Sequence, residues 1–406
     1  MKKTTLLTIA FALAMVFVGC TNNDTPSTSK TKLWPAYNTS ANLYGYINNK
    51  GEWAIPAQFS QASSFFSAGY AIVEINGNQA FINTDGEVQS CVSFDNADAF
   101  YYKYALASLN GKLGMLSTKF EFAIQPVYSY LSPMTADGLV TFQASADKFG
   151  FLDKKGNVFM KDGNPLFYEY ASEFRDGYCV VSSNLSTEND RIPTYAVIDT
   201  KGNTVIGEGS YRRMVNMGLG IVATVDRNLE IGKTEWVLKK IDNNTTIGQL
   251  YDGVGRFSTD EVAIVVSEQD NNYKYGYINK DGQQVISLNY NDARISNEGY
   301  AWVLDDKTCK LIDIKGGNAV ITLQAESNDV KEYPLCGVHN GLTLVVKATA
   351  HTDGTSYEFR WIDASANRTV FSWNFNKDKN NGMLEPNDWA PARKSAEEFS
   401  EYVFLK

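Results

Sequence analysis

Residues 71–86, Ala71-Ile72-Val73-Glu74-Ile75-Asn76-Gly77-Asn78-Gln79-Ala80-Phe81-Ile82-Asn83-Thr84-Asp85-Gly86, decide the fold of this chain. Ala71 to Ile75 alternates and is rich in branched residues, which suits a strand. Asn76-Gly77-Asn78 supplies the positive φ that hairpin turns need. Gln79 to Ile82 is the returning strand. Asn83 opens a second turn, where its side chain can hydrogen-bond the backbone two residues on. Gly86 can take the left-handed conformation that closes a type I turn with a bulge. Glu87 begins a third strand.

The same unit recurs along the chain. Its turn reads Ile47-Asn48-Asn49-Lys50-Gly51, Leu152-Asp153-Lys154-Lys155-Gly156, Ile198-Asp199-Thr200-Lys201-Gly202, Ile278-Asn279-Lys280-Asp281-Gly282 and Ile312-Asp313-Ile314-Lys315-Gly316, with weaker copies at Ser117, Asp242 and Asp363. Phe120, Thr245 and Ala366 replace the fourth-position glycine. The residue before the turn is always Ile or Leu, from Ile47 to Ile362, so it should point into a seam between neighbouring units. A second motif, Phe-x-x-Gly-x-x-x-Val, appears at Phe66–Val73 and Phe174–Val181, and in degraded form at Phe399–Leu405. Phe59, Phe94, Tyr128, Tyr168, Tyr251 and Tyr290 precede such stretches and should plug the units together.

Successive turn positions lie 35, 34, 36, 46, 43, 37, 34 and 50 residues apart. The base period is therefore near 35, with insertions at Thr187–Pro193, Asp226–Thr234, Glu326–Glu332 and Phe375–Ala390. Such insertions usually project on one face, often the binding face. A three-stranded unit of this size cannot bury both faces alone, so neighbours must stack. The expected fold is an all-β repeat of about nine antiparallel three-stranded units over residues 33–406, stacked as a β-propeller-like ring. The alternative is an open, curved β-solenoid array. Leu33–Tyr37 and Tyr402–Leu405 both read as first strands of a unit. The surplus C-terminal copy could shut a ring by pairing with the N-terminal unit, or cap an open end.

Tyr44-Gly45-Tyr46-Ile47-Asn48-Asn49-Lys50-Gly51-Glu52-Trp53-Ala54-Ile55-Pro56 closely resembles the repeating unit of the bacterial WG-repeat family, Trp/Tyr-Gly-Tyr/Phe-Ile-Asp-x-x-Gly-x-x-x-Ile-Pro. Phe149-Gly150-Phe151-Leu152 and Tyr275-Gly276-Tyr277-Ile278 fit it too. Tyr or Phe replaces the family's Trp in these copies, and Ala80 and Ala196 replace the glycine in two others. The resemblance covers residues 33–406 and implies the repeat architecture. It carries no catalytic set.

Residues 1–20 are outside that domain. Lys2 and Lys3 form a basic start, and Leu6 to Val18 is an apolar run too short to span a membrane as a helix. Phe17-Val18-Gly19-Cys20 resembles a bacterial lipobox, with Phe17 where Leu is usual. That resemblance implies cleavage before Cys20, lipidation of Cys20, and a membrane contact through the lipid. Thr21, rather than Asp, after the Cys implies an outer-membrane lipoprotein, with its periplasmic or surface side open. Residues 21–32 are polar and should act as a flexible tether.

The formal charge is −9, or −11 once Lys2 and Lys3 are removed, and no basic stripe occurs, which argues against a nucleic-acid partner. Cys91, Cys179, Cys309 and Cys336 form no CxxC pair. They read as buried thiols, with Cys309–Cys336 the nearest candidate bridge. Only His339 and His351 are present, so histidine triads and His-rich zinc sites are nearly excluded. No nucleophile elbow, P-loop, dinucleotide fingerprint or zincin motif occurs. The adjacent pairs Asp260-Glu261, Asp305-Asp306 and Glu397-Glu398 would face opposite sides of a strand and read as surface charge. Asn376–Gly382 resembles the start of a calcium loop, but its glycine falls one place late and no Glu closes it, so it reads as a solvated insertion. Trp34, Trp302, Trp361, Trp373 and Trp389 lie outside the repeat pattern and are candidates for surface platforms.

These features point to a non-enzymatic, lipid-anchored scaffold at the cell envelope, without cofactor or metal, that binds a protein or glycan. The rival readings are a carboxylate-dependent glycan-active enzyme and a structural subunit of an outer-membrane complex.

Overall fold

The computed structural model describes residues 32–89, 92–184, 193–226, 235–269, 272–324 and 329–378. Within them the chain is antiparallel β throughout, and the repeat is visible as nine modules. Module 7 shows the full plan: Gly253–Val254, Val262–Gln269, Asn272–Asn279 and Gln284–Tyr290, hydrogen-bonded in that order. Module 8 repeats it with Asp292–Ala293, Tyr300–Asp305, Thr308–Asp313 and Ala319–Gln324. The three strands legible in the sequence are the second to fourth of this plan. The first is only two residues long in modules 2, 5, 7 and 8, too short for any periodic pattern to reveal.

Module 3 (Asn96–Tyr101, Tyr104–Leu109, Lys112–Ser117, Phe122–Tyr128) and module 9 (Val330–Pro334, Leu342–Ala350, Gly354–Asp363, Arg368–Asp378) keep all four strands, and the others depart from the plan in defined ways. Module 1 has three strands, Trp34–Asn38, Leu43–Ile47 and Trp53–Phe59. Module 2 (Gln61–Ala62, Ala71–Ile75, Asn78–Ile82) reduces its fourth strand to the bridge Ile82–Val88. Module 4 keeps the hairpin Leu139–Ser145/Lys148–Asp153, with the bridges Leu131–Phe142 and Leu152–Val158 at its sides. Modules 5 and 6 share the fifteen-residue strand Thr204–Gly218, which ends one and begins the other, so they form a single seven-stranded sheet. Eight of the nine sheets, one of them double, thus carry the nine modules, and the ninth is the small hairpin Met160–Lys161/Asn164–Pro165.

Strand alternation assembles them. At the turns of every module but the sixth the Ile or Leu points back and its predecessor points forward. Ile47 lies with Trp34, Leu344 and Trp361 of the seam between modules 9 and 1, while Tyr46 lies with Phe59, Phe65 and Ala71 of the seam between modules 1 and 2. Ile278 and Tyr277, and Ile312 and Leu311, divide in the same way. All nine pre-turn residues are buried, one in each of nine apolar seams. Each is worth about 1.5–3 kcal/mol of burial. The seam between module 9 and module 1 closes the circle, so the fold is a β-propeller rather than an open array. Trp361 Nε1 donates to Pro35 O at 2.8 Å, and Trp34 Nε1 donates to His339 O at 2.9 Å across that junction.

The two-residue strands face the axis. Groups from modules that are not neighbours meet there: Arg256 of module 7 reaches Glu173 of module 5, and His339 of module 9 is hydrogen-bonded to the backbone of Phe65 of module 2.

The second turn behaves as its residues require. Asn48 Oδ1 accepts from the Lys50 and Glu52 amides, and Asp199 Oδ1 accepts from Lys201 and Asn203. Gly51, Gly86, Gly156, Gly202 and Gly282 take positive φ. Phe120 does so as well, at 58°, with its ring packed on Tyr70, Phe81 and Phe100. In modules 8 and 9 the left-handed residue comes one place later than the spacing suggests, at Gly317 and Asn367, because those turns are one residue longer. In module 6 it is Asn244.

The turn carboxylates are held below the usual range. For Asp313 the amide of Gly316, at 2.6 Å, is the main cause. For Asp153, Asp199 and Asp363 burial opposes the shift, but hydrogen bonds from the turn outweigh it. A depressed folded pKa means that this stabilisation is complete above the unfolded value, about 3.9, and is lost as pH falls through the folded value. Replacing all four by Asn, the residue already used at 48, 83 and 279, should flatten the acid limb. In urea melts from pH 6 to pH 2.5 the native chain should lose stability faster than the variant. Parallel curves would refute this.

Candidate binding faces of the ring

Topology sorts the connections onto two faces. The Asn/Asp turns and the links from first to second strand lie on one end of every module. The tips of the second-to-third hairpins and the crossings to the next module lie on the other. Three of the four insertions, 187–193, 226–234 and 326–332, join strand ends on this second, loop face. Ser182–Asn184 and Thr194, for example, flank the first of them as paired ends of a hairpin. The exposed aromatics Tyr130, Phe167, Tyr273 and Phe375 belong to the loop face, and Trp53 and Tyr102 to the turn face.

The turn face is tied by acidic clasps. Asp176 Oδ2 accepts the Leu219 amide at 2.7 Å, and Asp260 Oδ1 accepts the Gly299 amide at 3.0 Å. Glu298 is fullest: its two oxygens accept the Asn340 and Gly341 amides at 2.6 and 2.8 Å. Each acid reaches the corresponding link of the following module, so these carboxylates are structural. Asp260 is therefore not the free surface charge its sequence neighbours suggest, whereas Glu261 is a surface residue paired with Lys280 at 2.8 Å. Asp305 pairs with Lys310 at 2.6 Å, and Asp306 sits in a left-handed hairpin tip. Glu397 and Glu398 lie outside the described residues.

At the axis, Glu173 Oε1 accepts from Arg256 Nη1 at 2.8 Å and from Arg175 Nη2 at 3.1 Å. Two guanidiniums thus converge on one carboxylate oxygen. Burial raises the pKa of Tyr130, and the Glu173 charge adds to it. Tyr170 is pushed up to about 12, first by burial and then by the neighbouring Cys179, Tyr195 and Tyr130. Both phenols remain neutral donors. Sequence reading missed this cluster because its members come from three modules, and Arg256 lies 83 residues from Glu173.

A shallow cavity of about 200 Å³ opens at the junction of modules 8, 9 and 1, bounded by Lys32, Trp34, Asn49, Tyr300, Asn340 and Asp363. Its one carboxylate, Asp363, is engaged by the Ser365 and Ala366 amides. On the outer wall nearby, Trp53 meets Phe371 edge-on at 5.4 Å, and Trp373 stacks on Phe359 at 5.1 Å.

The remaining sequence candidates fall as follows. Cys20 and Trp389 lie outside the described residues. Trp34, Trp302 and Trp361 are seam residues, not surface platforms, because each stands at a strand position that alternation turns inward. Trp373 is half-buried. Cys179, Cys309 and Cys336 are free thiols, and burial pushes Cys179 and Cys336 up to about 12. His339 is half-buried, and desolvation lowers its pKa although the Glu298 charge opposes this, while His351 is exposed. Asn376 is a strand residue paired with Ser356, not part of a loop, while 379–382 lie outside the described residues. Among the described residues no group of three His, Cys, Asp or Glu side chains is placed to hold a metal ion.

Two stretches, 44–78 and 275–309, match the family described as WG containing repeat, so the chain carries WG repeats in modules 1 and 7 and the strands that follow them. No curated protein matches the chain. Among solved structures it is similar to one described as the crystal structure of the eukaryotic initiation factor, with 11% identity, a TM-score of 0.57, and coverage of 86% of this chain and 97% of that one. It also matches Hsv2p of Kluyveromyces lactis, with 11% identity, a TM-score of 0.38, and coverage of 68% of this chain and 94% of that one. The first likeness bears on the fold alone.

Proposed function

We propose that the protein is a non-enzymatic binding scaffold, anchored to the outer membrane through a lipid on Cys20, that offers its loop face to a protein or glycan partner. The observation that carries this reading is the asymmetry of the ring. Three of the four insertions fall between strand ends of the loop face, whereas the turn face repeats one clasped design. Variable loops on a rigid scaffold are the usual place for recognition. The shallow cavity with its single engaged carboxylate favours binding over two-acid hydrolysis, which needs a pair of convergent carboxyl groups.

A photo-crosslinking residue at Tyr273, on the loop face, should capture a partner in intact cells, and the same residue at Tyr102, on the turn face, should not. Cys20→Ser should move the protein from the membrane to the soluble fraction. Equal capture at both positions, or turnover of a glycan or peptide panel by purified protein, would overturn the reading.

A further inference from the structure

Every module presents its outermost strand at the rim of the ring, with one edge of that strand unpaired. Unpaired edges are templates for further pairing, and folded chains blunt them with bulges, prolines, charges or short length. Eight of the nine modules do so. Trp53–Phe59 carries Pro56 and two register shifts, and Phe122–Tyr128 carries Pro126 and two more. Residues 204–210 and Gln284–Tyr290 have two shifts each. Thr246–Tyr251 has one, beside the left-handed Gly248. Ala319–Gln324 has one, with only four aligned pairs beyond it. Modules 2 and 4 reduce this strand to a bridge.

Module 9 does not. Arg368–Asp378 is eleven residues long and contains no proline. It pairs with Gly354–Asp363 through eight consecutive positions, from Trp361↔Phe371 to Gly354↔Asp378, without a shift. Its other edge has no partner among the described residues. Thr369 to Asn376 carries no charge. Alternation sends Phe371, Trp373 and Phe375 to the face that meets module 1, where Phe371 touches Trp53 and Trp373 stacks on Phe359. Phe375 is exposed at the loop-face end of that row. Ser372, Asn374 and Asn376 are exposed on the opposite face.

Only an extended backbone satisfies such a row of strand N–H and C=O groups. The strand complements itself when read backwards. With Trp373 on a two-fold axis, antiparallel pairing sets Trp373 against Trp373, Phe371 against Phe375, and Ser372 against Asn374 of the second copy. Aromatic pairs then lie on one face and neutral hydrogen-bonding pairs on the other, both favourable across strands. Arg368 comes to the end where the second copy carries Asp378, so opposite charges meet there. No like charges oppose each other along the shared edge, although the chain carries −9 overall. A two-fold contact of this kind uses one surface twice, so it closes at two copies and cannot grow into a fibre.

We propose that the protein forms a symmetric dimer by edge-to-edge pairing of Arg368–Asp378 in two copies. The four-stranded sheets of the two ninth modules become one continuous sheet.

The test uses the full chain. Sedimentation velocity from about 1 to about 500 µM should show a monomer–dimer equilibrium. Ser372→Lys with Asn374→Lys sets like charges opposite each other twice and should weaken the dimer at least about tenfold. Ser372→Glu with Asn374→Lys sets opposite charges at the same places and should restore it. Both positions are exposed, so circular dichroism of either variant should match the unmodified chain. In the unmodified chain, peptides covering 371–376 should take up deuterium more slowly at about 200 µM than at about 2 µM. A monomer at every concentration, a dimer indifferent to the two lysines, no recovery with the Glu/Lys combination, or uptake independent of concentration would overturn the proposal.

Discussion

Trp361→Ala should cost the ring about 3–5 kcal/mol, the range for emptying a buried aromatic site. The side chain is 1% exposed and packs with Trp34, Ile47, Leu342 and Leu344 where module 9 meets module 1. Its indole N–H also serves the Pro35 carbonyl. The alanine variant leaves that acceptor and a large void together. Trp361→Phe separates the two effects: it keeps much of the volume and should lose only about 1–3 kcal/mol, including the hydrogen bond. Urea unfolding followed by tryptophan fluorescence and circular dichroism measures both. A loss below 1 kcal/mol for Trp361→Ala would show that the junction contributes little to holding the ring.

Gly276→Ala is the second large effect, at about 3 kcal/mol by overpacking. This glycine does not need positive φ; it needs room. A Cβ there would lie 2.5 Å from Ile286 O and 2.9 Å from Ser287 C, both backbone, so the fourth strand itself would have to move. Gly45 and Gly114 are pressed the same way by Ile55 O at 2.5 Å and Ile124 O at 2.7 Å. Ala80 is tolerated because the fourth strand of module 2 shrinks to one bridge. Ala80→Gly should therefore cost no more than about 1 kcal/mol. Thermal melts of the two variants should differ widely, and similar losses would remove the close-approach explanation.

Much of this architecture was legible in the chain. The unbroken Ile/Leu before each turn reported the seams, since a side chain buried against a neighbour tolerates little change in shape. The glycine of the repeat was visible too, but its reason was not, because only the bulged fourth strand reveals the pressure on it. In module 6 that pressure is relieved from the other side: Val237 replaces the glycine and Gly248 in the bulge takes a φ of +69°. Axial strands of two residues leave no periodic trace. Trp34 and Trp361 were placed at the surface because they fall outside the motif, although their strand positions turn them inward. The Glu173–Arg256 pair, 83 residues apart, has no local signal.

The continuous strand Thr204–Gly218 makes modules 5 and 6 a welded joint, with no linker that could flex or be cut. Among the described residues, modules 9 and 1 meet at the opposite extreme, through packed side chains and with no shared strand. A ring built this way has a designed weak point. When heat or mechanical tension opens it, the circle should part between modules 9 and 1, and the far arc should unroll last.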